Sequence, residues 1–136
     1  MNTKVIKGSS VFTTQFSGTI YVSHAFGGKQ ENIDEITSII REARKHFPNA
    51  LFVSPVHCFG FLYDDTEYIE GMNMTLWLLH HCDVMISFGE ISRGVQIEID
   101  FCQKHKKPYL HVNTLDELLE IAHCNEGKSD KGEYIK

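Results

Sequence analysis

Residues 92–101 read SRGVQIEIDF, and their period decides the fold. Val95, Ile97, Ile99 and Phe101 alternate with Gln96, Glu98 and Asp100, the pattern of a half-buried strand. In a strand, Glu98 would point to water and carry no meaning. At about 100° per residue the same letters give a different picture. Val95, Ile99 and Cys102 then fall on one side of an apolar arc, Ile97 and Phe101 on the other, and Glu98 near its middle. Gly94 lies one turn earlier, while Gln96, Asp100 and Lys104 take the opposite face. A carboxylate centred on an apolar face is costly unless something uses it.

The neighbouring segments choose between the two. TIYVS (19–23), ALFVS (50–54), DVMISF (83–88) and PYLHV (108–112) are short apolar runs that predict buried strands. Helical spacing separates them. Asn32-x-x-Glu35 looks like a capping-box start for a helix carrying Ile33, Ile36, Ile40, Ala43 and Phe47, ended by Pro48-Asn49. A second pattern runs from about Glu67 to His81 with Ile69, Met72, Leu76 and Leu79 on one stripe, after a long loop, PVHCFGFLYDDT. TLDELLEIAHC (114–124) makes a last helix, with Thr114-x-x-Glu117 as its capping box.

Strands alternating with helices predict a parallel sheet. Parallel neighbours at 83–88 and 108–112 need a crossover of a dozen or more residues, and only SRGVQIEIDFCQKHKK is available. The stretch is therefore a helix, capped by Ser92 and ending among Lys104 to Lys107. The expected fold is α/β, a Rossmann-like or flavodoxin-like doubly wound parallel sheet of four or five strands with helices on both faces. Residues 1–18 are expected to be an N-terminal extension or an edge strand through VFTTQF, 19–124 the domain, and 125–136 a polar, mobile tail.

With 136 residues the chain is most simply one domain, and 42% hydrophobic and 23% charged residues are ordinary for a globular protein. A net charge of −5 argues against a general nucleic-acid or anionic-membrane binder. MNTKVIKGSS lacks the apolar core of a signal peptide and no apolar run reaches membrane-spanning length, so a cytoplasmic protein is expected. The four cysteines are widely spaced with no C-x-x-C, and none of the histidine-containing clusters has a metal-site spacing, so neither a metal nor a cofactor is expected.

Doubly wound sheets bind ligands beyond the carboxyl ends of their strands, where strand order reverses. Two loops there carry suitable residues. SHAFGGKQEN brings Ser23, His24, Phe26, the close-approach pair Gly27-Gly28 and the charge of Lys29; GEISRG brings Ser92, Arg93 and Gly94 into the helix that bears Glu98. Together they resemble a phosphate cradle of backbone N–H groups and a positive helix end.

IYVSHAFGGKQENI followed by CDVMISFGE-ISRGVQIEIDFC resembles the nucleoside 2-deoxyribosyltransferase superfamily over about Thr19 to Val112. That superfamily includes the 2'-deoxynucleoside 5'-monophosphate N-hydrolases, and the likeness is closest to its uncharacterised bacterial and phage relatives. Ser92-Arg93-Gly94-Val95-Gln96-Ile97-Glu98 fits its S-x-G-x-x-x-E helix start in full. The resemblance implies Glu98 as nucleophile on C1' of a 2-deoxyribosyl group, Ser92 and the Gly94 amide on a 5'-phosphate or 5'-hydroxyl, and Tyr21 at the sugar pocket. Tyr21 reads equally well as a core aromatic. Where the hydrolases carry an acidic Asp eight residues before the Asp that opens the third strand, here Asp83, this chain has Thr75. Asp64, Asp65, Glu67 and Glu70 are the candidate substitutes, although each also reads as loop or first-turn surface.

Two functions follow as expectations: an N-glycosyl hydrolase or 2-deoxyribosyltransferase acting on a nucleoside or nucleotide, or a nucleotide-binding module without turnover. Trp77 lies roughly opposite Leu79 on its helix, so both cannot face one core. A homodimer or higher oligomer is expected, with Met74, Trp77 or Leu78 in the contact, and with the 56–66 loop or the tail near Tyr134 closing the partner's pocket.

Overall fold

The computed structural model describes the backbone of residues 9–131 and side chains over 10–126. Four strands, β1 (Gly18–His24), β2 (Ala50–Val53), β3 (Val84–Phe88) and β4 (Tyr109–Val112), form one sheet in the order β2-β1-β3-β4, every pairing parallel. Between and after them come α1 (Gln30–His46), α2 (Pro55–Phe59), α3 (Tyr68–His80), α4 (Arg93–Lys104) and α5 (Leu115–Lys131). SRGVQIEIDF is helical. Ser92 caps α4, its Oγ accepting from the Val95 N–H at 3.3 Å.

The strand faces divide the core. Ile20, Val22, Ile86, Phe88, Leu110 and Val112 pack with Ile36 of α1 and Leu118 and Ala122 of α5. Tyr21 and Met85 face the other way, against Leu79 of α3 and Val95, Ile99 and Cys102 of α4. Each layer buries a helix stripe on a strand face, the arrangement that lets a parallel sheet hide both sides. The helix-spanning connections leave β1 as the strand with later strands on both sides, so the order reverses between β1 and β3. Asp83 clamps the opposite end of that junction, its Oδ2 accepting from the Thr19 N–H at 2.8 Å and Thr19 Oγ1 at 3.0 Å. These bonds hold its carboxyl below the ordinary value.

Several boundaries differ from the sequence reading. VFTTQF is not an edge strand: a 3-10 turn over Ser9–Val11 precedes Phe12, which is fully buried against the sheet. The Asn32 capping box does not form, because α1 starts at Gln30 with Lys29 in the cap position and Asn32 turns back to donate to Phe26 O at 2.8 Å. The 56–66 loop is helical, as α2 and a 3-10 segment over Gly60–Asp65, with Ser54 capping and Pro55 in the first turn. The expected tail from 125 is, through Lys131, the continuation of α5; Glu126 accepts from the Thr14 N–H at 2.8 Å and ties it to the N-terminal segment. Tyr134 and the first eight residues lie outside the described residues. Among those described, no helix is long and apolar enough to cross a membrane.

Candidate active site

A pocket of about 400 Å³ opens where strand order reverses, between the loops that follow β1 and β3. This volume suits a nucleoside-sized ligand. Glu98 lies on its wall at 6% exposure, carried there by the second turn of α4. Both carboxylate oxygens are engaged from β1. The Tyr21 hydroxyl donates to Oε2 at 2.5 Å and Ser23 Oγ donates to Oε1 at 2.5 Å. Tyr21 and Ser23 can do this together because alternate strand residues share a face.

Burial raises the Glu98 carboxyl above its ordinary value, while the hydroxyls of Ser23 and Tyr21 pull it down. Burial, then the negative charge of Glu98, push the Tyr21 phenol well above its own ordinary value. Among the described residues Glu98 has no ion-pair partner. A carboxylate so held is shielded from water, and in its ionised form it attracts positive charge arriving in the pocket.

Of the predicted binding residues, His24, Phe26, Gly27, Ser92, Arg93 and Gly94 line the pocket with Glu98. Tyr21, Ser23 and Gly28 do not. Tyr21 and Ser23 are fully buried beneath it and reach it through Glu98, so they position the carboxylate. Gly28 holds the turn: at φ +74° a Cβ there would stand 2.8 Å from the Tyr63 ring. Arg93 lays its guanidinium 4.6 Å from the centre of the Tyr68 ring. Gly94 faces Met72 and Tyr68, and a Cβ there would meet both at ordinary contact distance.

The 56–66 loop, expected over a partner's pocket, walls the pocket of its own chain. Val56, Phe59 and Tyr63 from 55–65 and Tyr68 and Met72 from α3 close the same chain's pocket. Tyr63 meets Phe26 edge to face, centroids 5.1 Å apart. The aromatic density of FGFLYDD directly after a strand end was the available signal. Glu90, at the exposed rim, was missed.

Thr75 lines the pocket with Glu98 and donates its hydrogen to Met72 O at 3.0 Å. None of the candidate substitutes reaches the pocket. Asp64 and Asp65 are exposed, and Glu67 and Glu70 cap α3 reciprocally. Cys58 and Cys124 are exposed and Cys82 and Cys102 buried, all as free thiols; no group of His, Cys, Asp or Glu among the described residues is arranged to hold a metal ion.

The geometry defines a doubly wound α/β domain with a buried carboxylate in a pocket at the switch point of its sheet. The chain belongs to a family described as a domain of unknown function (DUF7768), which it matches over residues 18–112, from the first residue of β1 to the last of β4. Neither a curated protein nor a solved structure matches it.

Proposed function

We propose that the domain cleaves or transfers the N-glycosidic bond of a nucleoside or nucleotide, with Glu98 as nucleophile. The observation that carries this reading is the Glu98 carboxylate itself, buried on a pocket wall and held by two hydroxyls from one strand. Retaining glycosyl chemistry needs a fixed carboxylate beside an oxocarbenium-like transition state. A low-dielectric wall strengthens the attraction between them. In this reading Ser92, the Gly94 amide and Arg93, which line the pocket at the start of α4, take a 5'-phosphate or 5'-hydroxyl. The aromatic wall from Phe26 to Tyr63 suits a flat base. Four free thiols fit a reducing compartment, and we assign the activity to the cytoplasm.

Thr75 favours a second reading, a module that holds a nucleotide without turning it over, because a threonine hydroxyl is a poor proton donor to a leaving base. Chromatography of nucleosides and nucleotides incubated with the protein separates the two. Free base beyond one equivalent, lost in Glu98→Gln, is the result expected of the enzyme. Intact ligand retained at one equivalent is the result expected of the binding module.

A further inference from the structure

The inference here rests on the glycosyl chemistry proposed at Glu98 and concerns the group that leaves. Breaking a C1'–N bond to a neutral base puts negative charge on the departing ring, and such a reaction calls for a general acid beside the leaving nitrogen. The pocket holds Thr75 next to Glu98, its hydrogen already given to Met72 O. The other proton carriers among the described lining residues are engaged or exposed, Tyr63 and Tyr68 being 49% and 47% exposed. His24 Nδ1 lies 2.7 Å from Ala25 O and its Nε2 3.4 Å from Glu35. Lys29 and Glu90 are exposed. Arg93 stacks on Tyr68 and does not release protons.

Two further features point the same way. Glu98 is a buried carboxylate without a cationic partner among the described residues, so a positive ligand would complete it. Phe26, Phe59, Tyr63 and Met72 line the pocket with aromatic rings and a polarisable sulfur, groups that attract a flat cation.

We propose that the substrates are N-glycosides whose aglycone is already a cation, the class of pyridinium nucleosides and nucleotides. A cationic leaving group removes the need for the acid. As the C1'–N bond breaks, its electron pair moves onto the ring nitrogen, the positive charge is extinguished, and a neutral pyridine departs without a proton. A Glu98 oxygen forms the new bond to C1'. Water then attacks C1', the electron pair of the ester bond returns to Glu98, and one proton passes from the water to solvent. The balance is cationic glycoside plus water giving sugar, neutral base and a proton.

The test incubates the full chain with nicotinamide ribonucleoside 5'-monophosphate, its 2'-deoxy counterpart, and the 2'-deoxynucleoside 5'-monophosphates of adenine and cytosine, at equal concentration. Free base is followed by chromatography. The expected result is catalytic release of nicotinamide from at least one pyridinium substrate, at least a hundredfold faster than release of either neutral base, and none with Glu98→Gln. Adenine or cytosine released as fast as nicotinamide, and through Glu98, overturns the cationic-aglycone inference and leaves the glycosyl chemistry standing. No base released from any substrate, or release undiminished in Glu98→Gln, overturns both.

Discussion

The Tyr21 hydroxyl stands 2.5 Å from Glu98 Oε2, joining the middle of the first strand to a helix that begins more than seventy residues later. A charge-assisted bond of this kind, away from water, fixes the direction in which the carboxylate presents its free lone pairs. Its removal is the sharpest probe of how the site is held.

Tyr21→Phe deletes that donor and little else. Losing a hydrogen bond to a charged group costs about 1.5–3 kcal/mol, roughly ten- to hundredfold if expressed in rate. Turnover should fall by that amount with KM nearly unchanged. Because the Tyr21 bond pulls the Glu98 carboxyl down, the acid limb of the pH–rate profile should also move to higher pH. A variant with parental turnover and an unmoved acid limb contradicts the positioning role.

Glu98 also predicts a pH-dependent stability. Burial raises its carboxyl above the ordinary 4.5, so the fold favours the protonated form. That contribution is present below the ordinary value and is lost as pH rises through the raised one. Glu98→Gln, which stays neutral, should therefore gain in Tm over the parent as pH climbs from acid to neutral. The two melting curves should converge toward pH 4.5. A Tm difference that stays constant with pH contradicts the raised carboxyl.

Gly27 and Gly28 separate backbone strain from pocket shape. Both have positive φ, so alanine at either should cost about 1–2 kcal/mol of stability. Only at Gly28 would the new Cβ meet an obstacle, the Tyr63 ring at 2.8 Å, while at Gly27 nothing lies within 4 Å. Gly28→Ala should push Tyr63 from its contact with Phe26 and weaken ligand binding beyond its effect on Tm, whereas Gly27→Ala should show the stability loss alone. Calorimetric titration beside melting curves checks this; equal affinity in the two variants removes Tyr63 from the wall.

Trp77 is 61% exposed although Leu79, two residues on, is fully buried. We propose that side of α3 as a contact between copies of the chain. Light scattering at micromolar concentration should give a mass above 15.6 kDa, reduced toward that value in Trp77→Glu. A parent mass of 15.6 kDa across the concentration range contradicts self-association.

The strands and α4 were legible because a parallel sheet buried on both faces writes short apolar runs, and because the crossover between β3 and β4 left only one segment to bridge it. Glu98 followed from helical spacing once the crossover made the stretch a helix, and Ser92 and Gly94 from the loop that enters it. The wall from 55 to 65 was not legible, since two short helical pieces give too few residues to establish a period. Tyr21, read equally as a core aromatic, and Ser23, expected at the pocket, both lie beneath it, because alternation tells which face a side chain takes and not whether a helix side chain lies over it. The start of α1 was misplaced for a related reason: Asn32 has the composition of a cap, yet its amide is used by Phe26 O in the preceding loop.

The central claim is that Glu98 forms a bond to C1'. Intact-protein and peptide mass spectrometry after acid quench, on protein mixed with a pyridinium nucleotide bearing fluorine at the 2' position to slow release of the ester, reads that bond directly. Trypsin cleavage after Arg93 and Lys104 isolates Gly94–Lys104, in which fragmentation distinguishes Glu98 from Asp100. The account predicts one added glycosyl phosphate on Glu98 and none in Glu98→Gln. An adduct on any other residue, or base released from the unfluorinated substrate while the fluorinated one leaves Glu98 unmodified, contradicts it.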